Sequence, residues 1–469
     1  MMLTVLALAA AIQQGPSPVQ LRRILDAHVV AARIGRTLGD SIWPGFRLDT
    51  IPVLYVLPDT GTLLLGWRGA LPTGFAAIPG EQAGWQPAAE RGAASTGTTL
   101  AGRPTAQVVA GGTSVADLVG LTAHEAFHVF EAASRRDGRR FGAGENSFLV
   151  SSYPIFDATN EAGIALEGRI LAAALGAGDR TRRRELARQF VAARESRQRG
   201  LEDQFATFER LGELNEGLAE YALVRMRALA LRDSTFAWAR ALDSLTSNRT
   251  QSIRLRFYLT GPAQARLLDA IEGPGWKARL MRDDLTLQET LATAAGWRDA
   301  EAATRRAAEA AFGMAALRAV ADNGVAGLRD RRRAQTDSLL AAPGVQLVIA
   351  LDSLPGRVGL CMIDPQNLLQ ADAGVLLHTR AVRVCAGAAL DAMFTTPVVD
   401  ARPTSTVRAV IGPADSITVT VGGKSVALAD GLQLNEAPDL LIQSRAVTLT
   451  SRRADVSLQG RFLTVRPRP

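Results

Sequence analysis

Two histidines and a glutamate stand close together in residues 122–131, which contain the pattern His124-Glu125-x-x-His128. On an α-helix, residues four apart lie on the same face, so both imidazoles can reach one metal ion. Glu125 lies about 100° round the helix from His124, close to such an ion without having to bind it. Two neutral nitrogen ligands beside a carboxylate base are what a zinc hydrolase requires.

Half of the four histidines of the chain fall in this motif. A buried helix that carries two histidines by chance is the alternative, because apolar residues surround the motif on nearly every side, as is typical of a core helix. Two imidazoles and a carboxylate would, however, be costly to bury without a partner. We therefore predict a zinc site in which His124 and His128 are ligands and Glu125 is the base.

A catalytic zinc ion needs a third protein ligand, and the best candidates lie in residues 214–221. Glu216 and Glu220 are four residues apart there and would share a helix face. One can bind the metal, and the other can accept the remaining N–H of a ligand imidazole. Two solvated surface glutamates are the alternative, but the flanking residues are apolar, which favours a buried helix. Glu161 and Glu167 are further candidates.

Together, the two segments resemble those of the gluzincin zinc peptidases. The histidine motif followed by residues 215–219, Asn-Glu-Gly-Leu-Ala, is similar to the aminopeptidase N pattern, in which the Glu of Asn-Glu-Gly is the third zinc ligand. The segment is also similar to the thermolysin pattern Asn-Glu-x-x-x-Asp, whose last acid supports a zinc histidine. The resemblance implies zinc ligands His124, His128 and Glu216. It also implies that Glu125 is the general base and that Glu220 orients a histidine.

The chain departs from those families in two respects. Their third ligand follows the second histidine closely, whereas two predicted helices separate Glu216 from His128. The Gly-x-Met-Glu-Asn segment, with which aminopeptidase N-type enzymes hold the substrate amine, does not occur in the sequence. This absence argues against an aminopeptidase.

Peptide hydrolysis also needs a hydrogen-bond donor for the oxyanion of the tetrahedral intermediate. Related enzymes use a Tyr or His downstream of the third ligand, and this chain has four tyrosines. Tyr258, beside Arg254 and Arg256, is the best placed, and Tyr221 is the alternative. For either tyrosine, the alternative that it is buried and has only a structural role is equally open.

The composition limits the classes of partner. At 469 residues the chain has room for two or three domains, and 47% hydrophobic with 21% charged residues is ordinary for a folded soluble protein. The net charge of +7 is carried almost wholly by arginine, because lysine occurs only at Lys277 and Lys424. The arginines lie in Ala-rich helical sequence without aromatic interleaving or a recognisable nucleic-acid-binding module. We expect a peptide or protein substrate and no nucleic acid.

The N-terminal residues and the two cysteines indicate the cellular compartment of the protein. Residues 3–11 form a short apolar run ending in small residues, which resembles the hydrophobic part of a secretory signal, although no basic residue precedes Arg22. We predict a signal peptide over residues 1–17 and export to the periplasm or the medium, with an ordinary buried segment as the alternative. No other stretch is apolar enough to span a bilayer. Cys361 and Cys385 would form a disulfide in an exported protein and otherwise remain thiols.

Hydrophobic spacing predicts the elements that position these residues. Helices are predicted over 18–40, 115–134, 157–175, 180–201, 203–231 and 248–268, continuing to about 340, with strands at 51–56, 62–66 and 106–110. Residues 81–104 are rich in Gly, Ala, Ser and Thr and are predicted as a loop. The strand at 106–110, directly before the metal helix, is our candidate edge strand for pairing with an extended substrate.

A turn-like segment at residues 341–344 separates the helices from a strand-rich region. Strands are predicted there at 345–350, 381–384, 407–411, 416–421, 446–449 and 456–458, as in a β-sandwich or a small open sheet. The predicted class is α+β, with a zincin-like catalytic region followed by an all-β domain. Its parts are the signal peptide, an N-terminal α+β part (18–112), a helical zinc-binding region (113–340) and the β domain (345–469).

The sequence therefore predicts a zinc-dependent metallopeptidase of gluzincin type. A catalytically silent zinc-binding or interaction protein, whose β domain carries the function, is one alternative. Glu125 argues against it, since a structural zinc needs no base. A zinc hydrolase acting on a non-peptide bond is the other alternative. The lone histidines, His28 and His378, are predicted to be structural.

Overall fold

Helices and a six-stranded sheet make up the described chain up to residue 341, and strands dominate after it, which confirms the predicted α+β class with a β-rich C-terminal part. The computed structural model describes residues 16–58, 60–87, 94–111, 113–232, 238–245, 253–297, 302–354, 358–364, 367–401 and 404–469. The predicted signal peptide lies almost entirely outside these residues. Among them, no helix combines the length and the apolar character needed to cross a bilayer.

The chain forms two compact units. Unit 1 comprises Met1–Glu145, Gly163–Arg249 and Arg254–Leu317, and unit 2 comprises Asn146–Ala162, Thr250–Ile253 and Arg318–Pro469. The domain limits drawn from the sequence stay predictions.

The helices agree closely with the predicted spans where the structure describes them, and residues 248–252 of the helix predicted over 248–268 lie outside the described residues. They are α1 (Pro18–Ile42), α2 (Val115–Ser134), α3 (Ala158–Gly176), α4 (Arg180–Gln198), α5 (Asp203–Gly212), α6 (Leu218–Leu231), α7 (Trp238–Asp243), α8 (Ile253–Glu272), α9 (Gly275–Asp283), α10 (Leu287–Ala295), α11 (Ala302–Ala311) and α12 (Met314–Ala341).

In unit 1, six strands of the described residues form a mixed sheet in the order β3-β4-β2-β1-β6-β5. They are β1 (Val53–Leu57), β2 (Gly61–Leu65), β3 (Ala76–Ala77), β4 (Ala83–Pro87), β5 (Thr96–Leu100) and β6 (Arg103–Val109). β1 and β6 run parallel, and the other neighbours are antiparallel. All five residues of β1 are buried, as expected of a central strand.

Two predictions about this sheet are wrong. Residues 81–104 are not all loop, because they contain β4 and β5. The strand predicted at 106–110 belongs to β6, which is not an edge strand because it lies between β1 and β5. Within the described residues β5 is the edge strand on the β6 side of the sheet, and β3 is the edge strand on the other side. The Gly- and Thr-rich sequence of β5 is largely exposed, so it forms a strand by pairing with β6 and not through a hydrophobic pattern.

The helix α2 packs in the core of unit 1. The Ser114 side chain caps its N-terminus by accepting a hydrogen bond from the Asp117 N–H at 3.2 Å. On the buried side, the Phe127 ring meets Trp43 and Phe46 edge-on, with ring centroids 5.5 and 5.3 Å apart. These aromatic contacts join α2 to the segment that follows α1 and fix the helix that carries the histidine motif.

Unit 2 contains the β-rich region. Its strands are β7 (Gln346–Ala350), β8 (Gly359–Met362), β9 (Leu368–Asp372), β10 (Val375–His378), β11 (Val382–Cys385), β12 (Asp391–Phe394), β13 (Val398–Ala401), β14 (Thr406–Val410), β15 (Thr418–Val421), β16 (Lys424–Val426), β17 (Gln433–Gln443), β18 (Val447–Gln459) and β19 (Phe462–Pro467). The strands predicted at 446–449 and 456–458 are parts of the single long strand β18. One edge of β18 pairs with β17, and the other pairs first with β12 and then with β19.

Cys361 and Cys385 form a disulfide between the adjacent strands β8 and β11, with their Cα atoms 6.1 Å apart. Of the two states that the sequence left open, the structure therefore has the bridged one. The lone histidine His378 is buried in β10.

Candidate metal centre

The histidine motif lies in the middle of α2, whose bounds are those predicted from the sequence. The His124 and Glu125 residues are each 5% exposed, so both lie in the interior of unit 1. The two imidazoles are one turn apart, and their Nε2 atoms lie 3.2 Å from each other. The helix therefore directs both nitrogens to one point, as the four-residue spacing predicts.

Glu216 lies in a π-helical turn, Glu213–Gly217, which joins α5 to α6. Such turns insert one extra residue into a helix and are frequent at functional sites. The Glu216 side chain is buried, and its Oε2 lies 3.6 Å from His124 Nε2 and 3.5 Å from His128 Nε2. The structure therefore brings together the three residues predicted as zinc ligands, although they are distant in the sequence.

The three atoms form a triangle with sides of 3.2, 3.5 and 3.6 Å. A tetrahedral zinc ion with bonds of about 2.0–2.1 Å separates its ligand atoms by about 3.3–3.4 Å. Two imidazole nitrogens and one carboxylate oxygen are also a ligand set of catalytic zinc sites. In spacing and in chemistry, these residues fit a zinc ion.

Each histidine also has a carboxylate near its Nδ1 atom, the ring nitrogen that does not face Glu216. Glu220 Oε2 is 3.3 Å from His124 Nδ1, and Glu131 Oε2 is 3.3 Å from His128 Nδ1. Such carboxylates orient a ligand imidazole and leave its other nitrogen free for the metal. Glu220 was predicted for this position and Glu131 was missed, although it follows His128 by three residues on the same helix face. Burial raises the pKa of the Glu131 carboxyl to about 7.

Glu125 follows His124 directly on α2, and its carboxyl is buried beside the histidine pair. Burial raises the pKa of this carboxyl above its usual value, while the nearby charges of His124 and His128 act in the opposite direction.

Of the two tyrosine candidates, Tyr258 is the one beside the histidines. Its ring stacks on the His124 imidazole, with centroids 5.6 Å apart and planes inclined by 3°. Burial and the negative charge of Glu216 raise the pKa of the Tyr258 hydroxyl, so the group keeps its proton and can donate a hydrogen bond. Tyr221 instead donates to Asp269 Oδ2 at 2.8 Å.

Arg254 and Glu145, which the sequence did not single out as site residues, complete the surroundings of Glu216. An Arg254 N–H donates to Glu216 Oε1, and Arg254 Nε donates to Glu145 Oε1 at 3.1 Å. The Asn215 side-chain amide donates to Glu145 Oε2. Although burial alone would raise it, contact with both histidines and Arg254 holds the pKa of Glu216 well below its usual range.

Two glycines bring the π-helical turn and α8 into direct contact. A Cβ atom added to Gly217 would lie 2.6 Å from the Gly261 Cα, closer than real Cβ atoms approach. Only glycine at both positions permits this approach, and it places Tyr258 of α8 next to Glu216.

The two other candidates for the third ligand, Glu161 and Glu167, do not belong to the cluster of His124, His128 and Glu216. Glu167 accepts hydrogen bonds from Arg194, at 2.8 Å, and from Arg197, so arginines balance its charge. Arg194 also donates two bonds to Glu213, at 2.7 and 2.8 Å, and thereby ties the π-helical turn to α4. Glu161 is buried in α3 and is not among the three residues that could hold a metal ion.

No family model, no curated protein and no solved structure matches this chain.

Proposed function

We propose that this protein is a zinc-dependent metallopeptidase of the gluzincin type with a zincin-like catalytic region. The convergence of His124 Nε2, His128 Nε2 and Glu216 Oε2 on one point, beside Glu125, carries the proposal. A structural zinc site is usually closed by four protein ligands, whereas a catalytic site has three and an open position. The three ligand residues and the adjacent base favour an enzyme over a catalytically silent zinc protein.

When bound, zinc polarises the scissile carbonyl and lowers the pKa of its water towards about 7. His124, His128 and Glu216 would hold it. Glu125 takes the proton from the attacking water and passes it to the leaving amine. The protonated Tyr258 hydroxyl, whose ring stacks on His124, donates a hydrogen bond to the developing oxyanion.

The edge strand β5 favours a peptide over another kind of substrate. A Cβ atom on Gly97 of β5 would lie 3.7 Å from His128 Cβ, so this strand passes directly beside the metal ligands. An extended peptide can add to such an edge through backbone hydrogen bonds. We therefore assign to β5 the substrate-pairing role that the sequence suggested for residues 106–110.

We also propose that the protein is exported. The apolar run at residues 3–11 is typical of a secretory signal, and disulfides such as Cys361–Cys385 persist in oxidising compartments.

The test of the proposed activity is a screen of quenched fluorescent peptides with the purified protein, with and without a chelator. We expect cleavage that stops with chelator, returns with added zinc and is absent in Glu125→Gln, which retains all three ligands. Cleavage that persists in both the chelated protein and Glu125→Gln would reject the mechanism. A protein that binds zinc but cleaves no peptide would support the silent or the non-peptide alternative.

A further inference from the structure

The two carboxylate oxygens of Glu216 have different surroundings. Oε2 faces both histidine Nε2 atoms, at 3.6 and 3.5 Å. Oε1 accepts a hydrogen bond from Arg254. A carboxylate can bind a metal through one oxygen or through both, and here the oxygen that does not make the two histidine contacts above is occupied by the arginine.

Arg254 is itself held in place by a hydrogen bond to a buried glutamate, Glu145. Its Nε donates to Glu145 Oε1 at 3.1 Å, and Glu145 Oε2 accepts a bond from Asn215, the residue before Glu216. The side chains of Glu145 and Arg254 are 3% and 18% exposed, so their contacts are shielded from water. The planar guanidinium, with N–H groups in a fixed fork, suits a bridge between two carboxylates.

The same guanidinium reaches the tyrosine. Arg254 Nη1 donates to the Tyr258 hydroxyl oxygen at 3.3 Å. One arginine therefore contacts a predicted zinc ligand and the predicted oxyanion donor, while Glu145 fixes its orientation.

We propose that Arg254 is a positioning residue that restricts Glu216 to one-oxygen metal binding and fixes the Tyr258 hydroxyl beside the site. This inference rests on the proposed function and deepens it. A one-oxygen carboxylate keeps the number of protein ligand atoms at three and leaves a position for water. If both Glu216 oxygens bound, that position would be lost or crowded.

The experiment uses full-length protein loaded with Co²⁺, whose visible absorption weakens as the coordination number rises. Arg254→Met is compared with wild type and with Arg279→Met. Arg279 is a matched control, because its side chain is also 18% exposed and pairs with a glutamate, Glu272, outside the site. We expect intense bands in wild type and Arg279→Met, and a loss of intensity at full occupancy in Arg254→Met.

A conservative variant keeps the test decisive if Arg254→Met does not fold. Arg254→Lys retains the charge, but an ammonium group cannot reproduce the guanidinium fork. We expect its band intensity to lie between those of wild type and Arg254→Met, or below that of wild type if it is the only folded variant. Wild-type band positions and intensities in the folded Arg254 variants would overturn the inference, and so would an equal loss in Arg279→Met.

The outcomes separate this inference from the proposed function. A wild type that takes up no Co²⁺, or that binds it equally after His124→Ala, refutes the metal site itself and the inference with it. A wild type that binds Co²⁺ through the histidines, with unchanged spectra in the Arg254 variants, refutes only the positioning role.

Discussion

Gly261→Ala tests whether the close contact between α8 and the π-helical turn sets the geometry of the site. The added Cβ would lie 2.5 Å from the Gly217 Cα and 3.0 Å from the Glu213 carbonyl oxygen. Carbon atoms normally rest about 3.5–4.0 Å apart, so the two elements must separate by about 1 Å. Tyr258 and Glu216 lie on opposite sides of this contact and would move apart with it.

The expected effects on activity and stability differ in size. A displacement of about 1 Å exceeds the roughly 0.5 Å tolerance of a catalytic arrangement and can lower the rate about 100-fold. Overpacking costs about 1–3 kcal/mol, but replacing a helical glycine by alanine regains about 1 kcal/mol, so the net loss of unfolding free energy is about 1 kcal/mol. The variant should fold with a slightly lower Tm and lose most of its activity.

The assay is kcat/KM on a peptide from the screen, together with thermal unfolding. Gly176→Ala is the matched control, because Gly176 ends α3 and an added Cβ meets no atom within 4 Å. We expect the control to keep full activity and an equal or higher Tm. Wild-type activity in Gly261→Ala would refute the reasoning, because it would show that the contact does not position the site.

Four further predictions concern individual side chains and the disulfide. Tyr258→Phe should lower kcat more than it raises KM, as expected for a group that acts in the transition state, and an unchanged kcat would remove the tyrosine from the mechanism. Zinc titration should show the largest loss of affinity in Glu216→Ala and losses of about 10–100-fold in Glu131→Ala and Glu220→Ala. Glu167→Ala should keep its zinc affinity yet lose about 1–3 kcal/mol of stability, because buried N–H groups of Arg194 and Arg197 lose the carboxylate that accepts them, although each arginine keeps a second glutamate partner. Intact mass after alkylation without reductant should show both cysteines protected, and two alkylated thiols would contradict the bridge.

Local spacing explains what the sequence could predict about the metal site. His124 and His128 lie on one face because any helix places residues four apart together. Glu216 was found through the resemblance of its segment to known third-ligand segments. Glu131 was not predicted, although it lies three residues after His128 and the same spacing rule places it on that face.

Contacts between distant segments explain what was missed. Nothing in the residues around Glu145 distinguishes it from other glutamates, since its partner Arg254 lies far along the chain on α8 and ion pairs have no periodic signal. β5 was missed because its exposed threonines and glycine show no hydrophobic alternation. β18 was predicted as two strands because the charged residues between its halves, Arg452 and Arg453, lie on exposed positions of one continuous strand.

The proposed metal site is best tested by the zinc content of the freshly purified protein. We expect about one zinc ion per chain, lost in His124→Ala and in His128→Ala and retained in the control His28→Gln. His28 suits this control because it contacts Tyr55 and is not one of the three residues predicted to bind zinc. A wild-type protein that contains no zinc and takes up none on titration would refute the proposed site.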